Sequence, residues 1–234
     1  MAHKCDNVKS DVINCQLRGV LRLLQVNCRS VYNKIKDLNT LIESCKADIV
    51  IGTESWLNDE IASTEIFSEE FEVYRRDRAS KGGGVFICVT KRFSSSLIKK
   101  DNEFEIICVE VEDKVSRRKI QIIGAYRPPG EDLALVERLQ EMTCREKDIG
   151  KSVIIAGDLN LPQVNWSGKE WTGGRVQHQI NALVREGDFT QVVNNPTRIN
   201  SILDVFLLKT PELLKACEIL PGISDHDAVY LELY

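Results

Sequence analysis

Short apolar runs, bounded by polar or turn-forming residues, dominate the hydrophobic pattern of the chain. Runs of this length that are rich in Val and Ile predict buried or half-buried strands. The predicted strands span residues 21–27, 48–54, 71–76, 85–90, 104–111, 119–126, 153–156, 204–208, 216–220 and 228–233. Because the connections between the strands from 71 to 126 are mostly short and polar, we expect antiparallel hairpins there.

Three segments instead have the helical period, namely residues 34–45, 132–145 and 175–186. Residues 1–19 show no clear period and predict a loose extension. Residues 20–234 contain no repeat and no linker composition, which predicts a single domain. Many strands with few helices predict an α+β fold in which two sheets pack face to face, with helices outside.

Composition narrows the class of protein. The 234 residues are 43% hydrophobic and 28% charged, as in an ordinary globular protein. No apolar run approaches the roughly 20 residues needed to span a bilayer, and the N-terminus lacks the apolar core of a secretory signal. Eight cysteines without a C-x-x-C pair, and only three histidines, argue against a zinc site. We interpret the cysteines as reduced thiols of a cytosolic or nuclear protein with no membrane partner.

The charge pattern leaves nucleic-acid binding open. A net charge of −4 argues mildly against a tight nucleic-acid binder. Arg75, Arg76, Arg78 and Lys81 nevertheless cluster, and such a cluster can steer a phosphate backbone. We interpret the second basic run, residues 117–119, as a solvated hairpin tip.

Polar residues follow several predicted strands. They are Asn27, Glu54, Tyr126, Asp158 with Asn160, and Ser224, Asp225, His226 and Asp227, while Asp204 begins a further strand. If the sheets bring these positions together, the oxygen-rich set suits Mg²⁺ or Mn²⁺. A divalent metal with carboxylates and one histidine fits hydrolysis of a phosphodiester.

Each motif has a simpler interpretation when it is taken alone. Gly157-Asp158-Leu159-Asn160 is typical of a turn, Glu54 of a solvated strand end, and Tyr126 of a core aromatic. If the backbone stays extended after the strand, however, Asp158 and Asn160 point to the same side. Their combination with His226, which Asp225 and Asp227 flank, favours a catalytic cluster. The residue types do not distinguish Glu54 from Asp158 as metal ligand and general base.

The ordered set of motifs resembles the endonuclease/exonuclease/phosphatase superfamily. The motifs are Asn27, Thr53-Glu54-Ser55-Trp56, Tyr126-Arg127-Pro128-Pro129, Gly157-Asp158-Leu159-Asn160, Leu203-Asp204-Val205-Phe206 and Ser224-Asp225-His226-Asp227. The most similar branch is the apurinic-endonuclease-like endonuclease domain of non-LTR (LINE-like) retrotransposons. Tyr74 to Arg78 before Gly82-Gly83-Gly84, and Asn195-Pro196-Thr197-Arg198, also resemble that branch.

The resemblance implies a four-layer α/β/β/α sandwich of two mixed sheets, with the site at one end. It implies that Glu54 holds Mg²⁺ (or Mn²⁺) with Asn27, and that Asp225 reaches the metal. It implies that Asp158 is the general base, that Asn160 orients the water or phosphate, and that Asp204 pairs with His226. It also implies that His226 and Tyr126 act at the phosphate, while Ser224, Arg78, Arg127, Thr197 and Arg198 bind phosphate or DNA.

The implied activity is metal-dependent nicking of one strand of duplex DNA, with a 3′-hydroxyl that primes reverse transcription. The expected partners are the DNA target and a reverse transcriptase domain of the same parent polyprotein, and the expected site of action is the nucleus. The loop at residues 197–201 and residues 75–81 are candidates for target recognition. Alternatives are a host repair enzyme for abasic sites, an inactive DNA-binding or interaction domain, and a phosphoinositide phosphatase. A secreted deoxyribonuclease is disfavoured, because that group uses a second histidine and no histidine lies between His3 and His178.

Overall fold

The computed structural model describes residues 19–78, 80–130, 133–143, 152–166 and 174–234. Within these residues, strands numbered β1 to β12 in chain order form two six-stranded mixed sheets. The first sheet has the order β11 (Leu214–Leu220), β12 (Ala228–Leu233), β1 (Leu21–Asn27), β2 (Ile49–Thr53), β4 (Val85–Thr90) and β3 (Phe71–Arg76). The second has the order β5 (Phe93–Lys100), β6 (Glu105–Asp113), β7 (Lys119–Tyr126), β8 (Ser152–Asp158), β10 (Asp204–Leu208) and β9 (Thr190–Gln191).

Helices cover the outer face of each sheet. Leu38 and Ile42 of α1 (Ile35–Cys45) and Ile66 of α2 (Ser63–Ile66) pack with the outward apolar residues of the first sheet. Leu139 of α3 (Ala134–Thr143) and Ile180 of α4 (Arg175–Glu186) pack on the second sheet. The predicted four-layer α/β/β/α sandwich is therefore confirmed. No helix of the described residues is long and apolar enough to cross a membrane.

Most predicted elements are present, although β2, β6, β11 and α1 differ from their predicted bounds by one or two residues and α2 was not predicted. The bounds of β1, β3, β4, β7, β10, β12 and α4 agree with the prediction, and the run at 153–156 extends to Ser152–Asp158. Strands β5 and β9 were not predicted, because β5 is an edge strand that carries three serines and β9 has only two residues. The hairpins β3–β4 and β6–β7 are confirmed, but β4 and β6 lie in different sheets. The helix predicted over 132–145 spans Ala134–Thr143, and residues 132, 144 and 145 lie outside the described residues.

The inner face of the sandwich changes from apolar to polar along its strands. Leu21 and Leu23 of β1 lie in the core between the sheets, and alternation places Gln25 and Asn27 on the same face. The second sheet follows the same rule, since Ile154 and Ala156 belong to that core and Asp158 comes two residues later. The site therefore forms where the inter-sheet core ends.

Candidate active site

Sheet pairing brings three site residues side by side in the second sheet. Tyr126 of β7 is in register with Asp158 of β8, and Asp158 is in register with Asp204 of β10. Both aspartates are fully buried. Two carboxylates that are held this close in a dry environment raise the cost of ionising both.

Asn27 connects the two sheets across the site. Its side-chain Nδ2 donates to Asp158 Oδ2 at 2.9 Å and to Glu54 Oε1 at 3.0 Å. One amide thus orients two carboxylates from opposite sheets. Its Oδ1 accepts the backbone N–H of Arg29 at 3.1 Å, which fixes the orientation of the amide.

Glu54 leaves β2 through a left-handed turn. Its φ is +49° and that of Trp56 is +55°, conformations that need support from neighbouring backbone. Trp56 N–H donates to the carbonyl of Gly83 at 2.9 Å, and Ser30 N–H donates to that of Glu54 at 2.9 Å. This turn directs the Glu54 carboxylate to Asn27. Its positive φ angles could not be predicted from the alternation of residues in the strand.

His226 and Asp204 form a buried pair. His226 Nδ1 lies 2.8 Å from Asp204 Oδ2, while Gln25 Nε2 donates to Asp204 Oδ1 at 2.8 Å. An ionised Asp204 accepts both bonds, which places a proton on Nδ1 and leaves Nε2 for a substrate. Gln25 was missed in the sequence, although its position two residues before Asn27 on the same strand face was a usable signal.

The electrostatics of the cluster favour bound protons. Burial, and then repulsion from Asp204, raise the pKa of Asp158 to about 8, although His226 and the hydrogen bonds from Asn160 and Asn27 lower it. Burial lowers the pKa of His226, but the hydrogen bond and charge of Asp204 outweigh it, so this pKa is raised. His226 Nδ1 lies 4.0 Å from Asp158 Oδ2. The shift favours the charged form of the imidazole beside two carboxyl groups.

The residues fit a divalent metal ion. Ligand atoms of Asp158, Asp204 and His226 all lie within 4.8 Å of one another. Gln25, which donates to Asp204 through Nε2, has a buried Oε1 without a hydrogen-bond partner among the described residues. Buried polar groups of this kind ordinarily have a water or ion as partner. The cluster can thus bind a metal ion whose charge offsets that of the carboxylates.

The segment after Asp158 does not continue as extended backbone. Asn160 has φ +47°, and its N–H donates to Asp158 Oδ1 at 2.9 Å. Its Nδ2 donates to the carbonyl of Arg127 at 2.8 Å. The premise that Asp158 and Asn160 point the same way from an extended strand is therefore wrong, because an Asx-type turn follows Asp158. Asn160 instead orients the base candidate through its own backbone.

Arg127 does not present its guanidinium as predicted for a phosphate ligand. Only 2% of the residue is exposed, and Nη1 donates to the carbonyls of Leu159 (3.3 Å) and Asn160 (3.0 Å). Arg127 N–H also donates to the carbonyl of Asp158 at 2.9 Å. The structure thus corrects the role: Arg127 holds the segment after Asp158.

Tyr126 is buried beside the carboxylates. Burial, followed by the negative charges of Glu54 and Asp158, raises its pKa, so the phenol stays protonated and can donate a hydrogen bond. The guanidinium carbon of Arg78 lies 5.7 Å from the ring centroid, within cation–π range. Arg78 is also ion-paired with Glu105, a residue that the sequence did not single out.

The loop before β12 carries Ser224, Asp225 and His226. Ser224 Oγ donates to the carbonyl of Asn27 at 2.7 Å and accepts from His226 N–H at 3.2 Å, so it shapes the loop. Asp225 is not part of the buried cluster. Its carboxylate is paired with Arg29 at 3.2 Å and with Arg198 at 2.6 Å. Burial raises the pKa of Asp225, but these arginines more than offset it and the pKa is lowered. The predicted metal role of Asp225 has no support in this arrangement.

Residues 197–201 form a tight hairpin beside His226. Thr197 is fully buried, and its Oγ1 accepts the N–H groups of Leu203 and Asp204, both at 3.1 Å. Its predicted role in DNA binding is therefore corrected to anchoring the hairpin. Arg198 is held by Asp225, and Ile199 at the tip has φ +53° and is 88% exposed.

Comparisons with known proteins found one matching family model and several solved structures of similar fold. Residues 120–230 match the family model described as Endonuclease-reverse transcriptase (Exo_endo_phos_2), a range that contains Tyr126, Asp158, Asp204 and His226. This match and the folds of the solved structures agree with the predicted endonuclease/exonuclease/phosphatase superfamily. The fold of this chain is similar to that of AP endonuclease LMAP from Leishmania major. The TM-score is 0.72 and the identity is 13%, and the comparison covers 92% of this chain and 87% of that one.

Two further solved structures share the superfamily fold. The endonuclease domain of TRAS1, a telomere-specific non-LTR retrotransposon, has a TM-score of 0.70 and 16% identity, covering 92% of this chain and 98% of that one. An AP endonuclease from Archaeoglobus fulgidus has a TM-score of 0.70 and 15% identity, covering 91% and 99%. No curated protein matches the sequence. At these identities the structural similarity establishes the fold.

Proposed function

We propose that this protein is a Mg²⁺-dependent endonuclease that nicks one strand of duplex DNA and leaves a 3′-hydroxyl for reverse transcription at the target. The buried cluster in which Asn27 joins Glu54 to Asp158, while Asp204 holds His226, carries the proposal. Retroelement origin is supported by the match at residues 120–230 and by the motifs that resemble the non-LTR branch. A reverse transcriptase domain in the same parent polyprotein and action in the nucleus belong to this proposal.

The residues divide the chemistry as follows. Glu54 would hold the metal together with Asp158 or Asp204. Asn27, whose Nδ2 donates to Glu54 and Asp158, would orient these two carboxylates instead of ligating the ion as predicted. Mg²⁺ (or Mn²⁺) would supply charge neutralisation at the phosphate. Asp158 accepts a proton from the attacking water, and a pKa near the working pH suits a general base. His226, which Asp204 fixes and whose raised pKa favours the charged form, stabilises the negative charge that develops on the phosphate. Tyr126, protonated in its buried position, donates to the phosphate or to the leaving oxygen.

A plasmid assay tests the activity. Supercoiled plasmid is incubated with the protein in Mg²⁺, with and without EDTA, and the nick ends are mapped. We expect open-circular product with 3′-hydroxyl and 5′-phosphate ends, abolished by EDTA, by Asp158→Ala and by His226→Ala. If both variants nick as fast as the wild type, the assignment of the site is wrong.

A second candidate function is repair at abasic sites, which the similarity in fold to two AP endonucleases favours. Rates on an intact duplex and on the same duplex with one abasic position separate the two functions. A strong preference for the abasic duplex would favour repair at abasic sites and contradict the retroelement proposal. An inactive binding domain is disfavoured, because the described residues include the complete Asn27, Glu54, Asp158 and Asp204–His226 set.

A further inference from the structure

Glu105 is a buried carboxylate at the edge of the site with no role in the proposed chemistry. It begins β6 in register with Tyr126, and 8% of it is exposed. Its Oε1 accepts the backbone N–H of Gly84. Its Oε2 accepts two bonds from Arg78, from Nε at 3.2 Å and from Nη2. Oε1 of Glu105 thus binds the backbone at Gly84, and Oε2 binds the side chain of Arg78.

Through Gly84, Glu105 supports the turn that carries Glu54. Trp56 N–H donates to the carbonyl of Gly83 (2.9 Å), and Ser55 N–H donates to that of Gly84 (3.4 Å). A Cβ at Gly83 would overlap Glu105 Oε1 and lie 2.7 Å from the Arg78 guanidinium, so only glycine permits this approach. The carboxylate on the second sheet therefore holds backbone of the first sheet directly behind Glu54.

Through Arg78, the same carboxylate fixes a cation beside Tyr126. Two guanidinium nitrogens face Glu105, whereas Nη1 has no hydrogen bond among the described residues. The side chain lines an open cleft of about 540 Å³ with Phe104, Arg127 and Pro128. Arg76 in the same cleft is different, since its guanidinium donates to the carbonyls of Asp101, Asp77 and Asn102. Of Arg76 and Arg78, it is therefore Arg78 that can bind an anion, through the guanidinium edge that carries Nη1.

We infer that Glu105 is a positioning residue that holds Arg78 beside Tyr126 as a preorganised binding group for a phosphate of the DNA strand, and that it keeps the turn of Glu54 in place. A long arginine side chain loses rotamer freedom when it binds an anion, and a fork already fixed by a carboxylate loses less. The planar fork also leaves its second edge aligned for a phosphate oxygen. This inference rests on the proposed function, which supplies the phosphate.

The chain offers a matched control at the other end of the sandwich. Asp48 precedes β2, whereas Glu54 follows it. Asp48 is 5% exposed and also accepts one backbone N–H, from Arg22 at 2.9 Å, and one arginine, Arg92 at 2.8 Å. Asp48→Asn and Glu105→Gln therefore remove the same kind of buried ion pair, but only the second lies next to the site.

The experiment measures nicking of a defined duplex in Mg²⁺ and separates kcat from KM for wild type, Glu105→Gln and Asp48→Asn, with Tm as the measure of folding. We expect Glu105→Gln to lower kcat/KM by about tenfold to a hundredfold, since displacement of a positioned group by about 1 Å costs this much. For Asp48→Asn, which changes a buried ion pair away from the site, we expect less than about a threefold change in kcat/KM. Equal losses of kcat/KM in the two variants would overturn the inference.

Arg78 provides a second readout: Arg78→Lys retains a cation for the buried carboxylate, whereas Arg78→Met removes its partner, so Tm is measured for both variants. The side chain of Arg78 is 28% exposed, so Arg78→Met and Arg78→Lys should fold. We expect Arg78→Met to lose activity, Arg78→Lys to recover part of it, and Arg78→Met to add little in the Glu105→Gln background because the residues act together. Wild-type rates in both single Arg78 variants would overturn the inference and leave the proposed function standing. A wild-type protein without nicking activity would instead overturn the proposed function, and the inference with it.

Discussion

Replacing the ionisable carboxyl group of Asp158 by an amide should stabilise the protein while it abolishes the proposed activity. In the metal-free state this carboxyl group is buried beside Asp204, and burial and that repulsion raise its pKa from 3.8 to about 8. The folded protein therefore retains a proton that the unfolded chain releases above about pH 4. Asp158→Asn has nearly the same shape and needs no proton, so it avoids this cost.

The sign follows from the direction of the shift. A raised pKa in the folded state contributes stability below the unfolded pKa and loses it as pH rises through the folded pKa, so metal-free protein should weaken between about pH 4 and pH 8. The raised pKa of His226 acts in the same direction. From pH 3.8 to 7 the cost approaches about 4 kcal/mol at about 1.36 kcal/mol per pH unit, which is a ceiling for the gain because Asn keeps only one of the two oxygens that accept from Asn27 and Asn160. We expect Asp158→Asn to gain about 2 kcal/mol at pH 7, or at least about 4 °C in Tm.

Urea unfolding in EDTA at pH 5, 6, 7 and 8 measures this difference for wild type and Asp158→Asn. The gain should grow with pH and shrink when Mg²⁺ is added, because bound cation stabilises the ionised wild-type cluster. Asp101→Asn is the control: burial raises the pKa of Asp101, but N–H groups of Phe104 and Glu103 outweigh it and the pKa is lowered. That variant should lose stability at pH 7. A wild type and Asp158→Asn of equal stability at pH 8 would refute the reasoning.

Three other changes test separate parts of the structure. Asp204→Asn should keep the fold but lower kcat about 10²- to 10⁴-fold, because His226 loses the acceptor that orients it; unchanged kcat in the nicking assay would contradict this. Gly157→Ala should destabilise the protein by about 3 kcal/mol or more, since φ is +143° and a Cβ would overlap the carbonyl of Ala125; an unchanged urea midpoint would be the contrary result. Exchanging the hairpin tip at 198–200, with buried Thr197 kept, should alter the mapped nick sites more than the nicking rate. An identical cleavage pattern would reject this hairpin as a target reader.

Local pattern was enough to predict most of the framework. Strands β1, β4 and β7 alternate or run apolar over their whole length, and their burial depends on the same residues that define the pattern. Strand β5 was missed because Ser94 to Ser96 lie on an edge where solvent satisfies their polarity. The expected pairing of β4 with β6 was wrong for the same reason. The chain enters the second sheet at β5, the strand that was missed, so β4 and β6 lie in different sheets.

The sequence by itself determined which residue types reach the site. Alternation extended from the core residues Leu21 and Leu23 puts Asn27 on the inner face, and the same rule puts Asp158 there. The ordered motifs around them were sufficient to predict a superfamily resemblance with which the family match at residues 120–230 agrees.

Only the tertiary structure decided how these residues are used. The turns of Glu54 and Asn160 have positive φ, supported by the carbonyls of Gly83 and Arg127, and no local period encodes such turns. Asp225 turns to two arginines because Arg29 and Arg198, far apart in the chain, meet at that surface. Side-chain direction in a loop depends on contacts between distant segments, whereas side-chain direction in a strand follows from its own alternation.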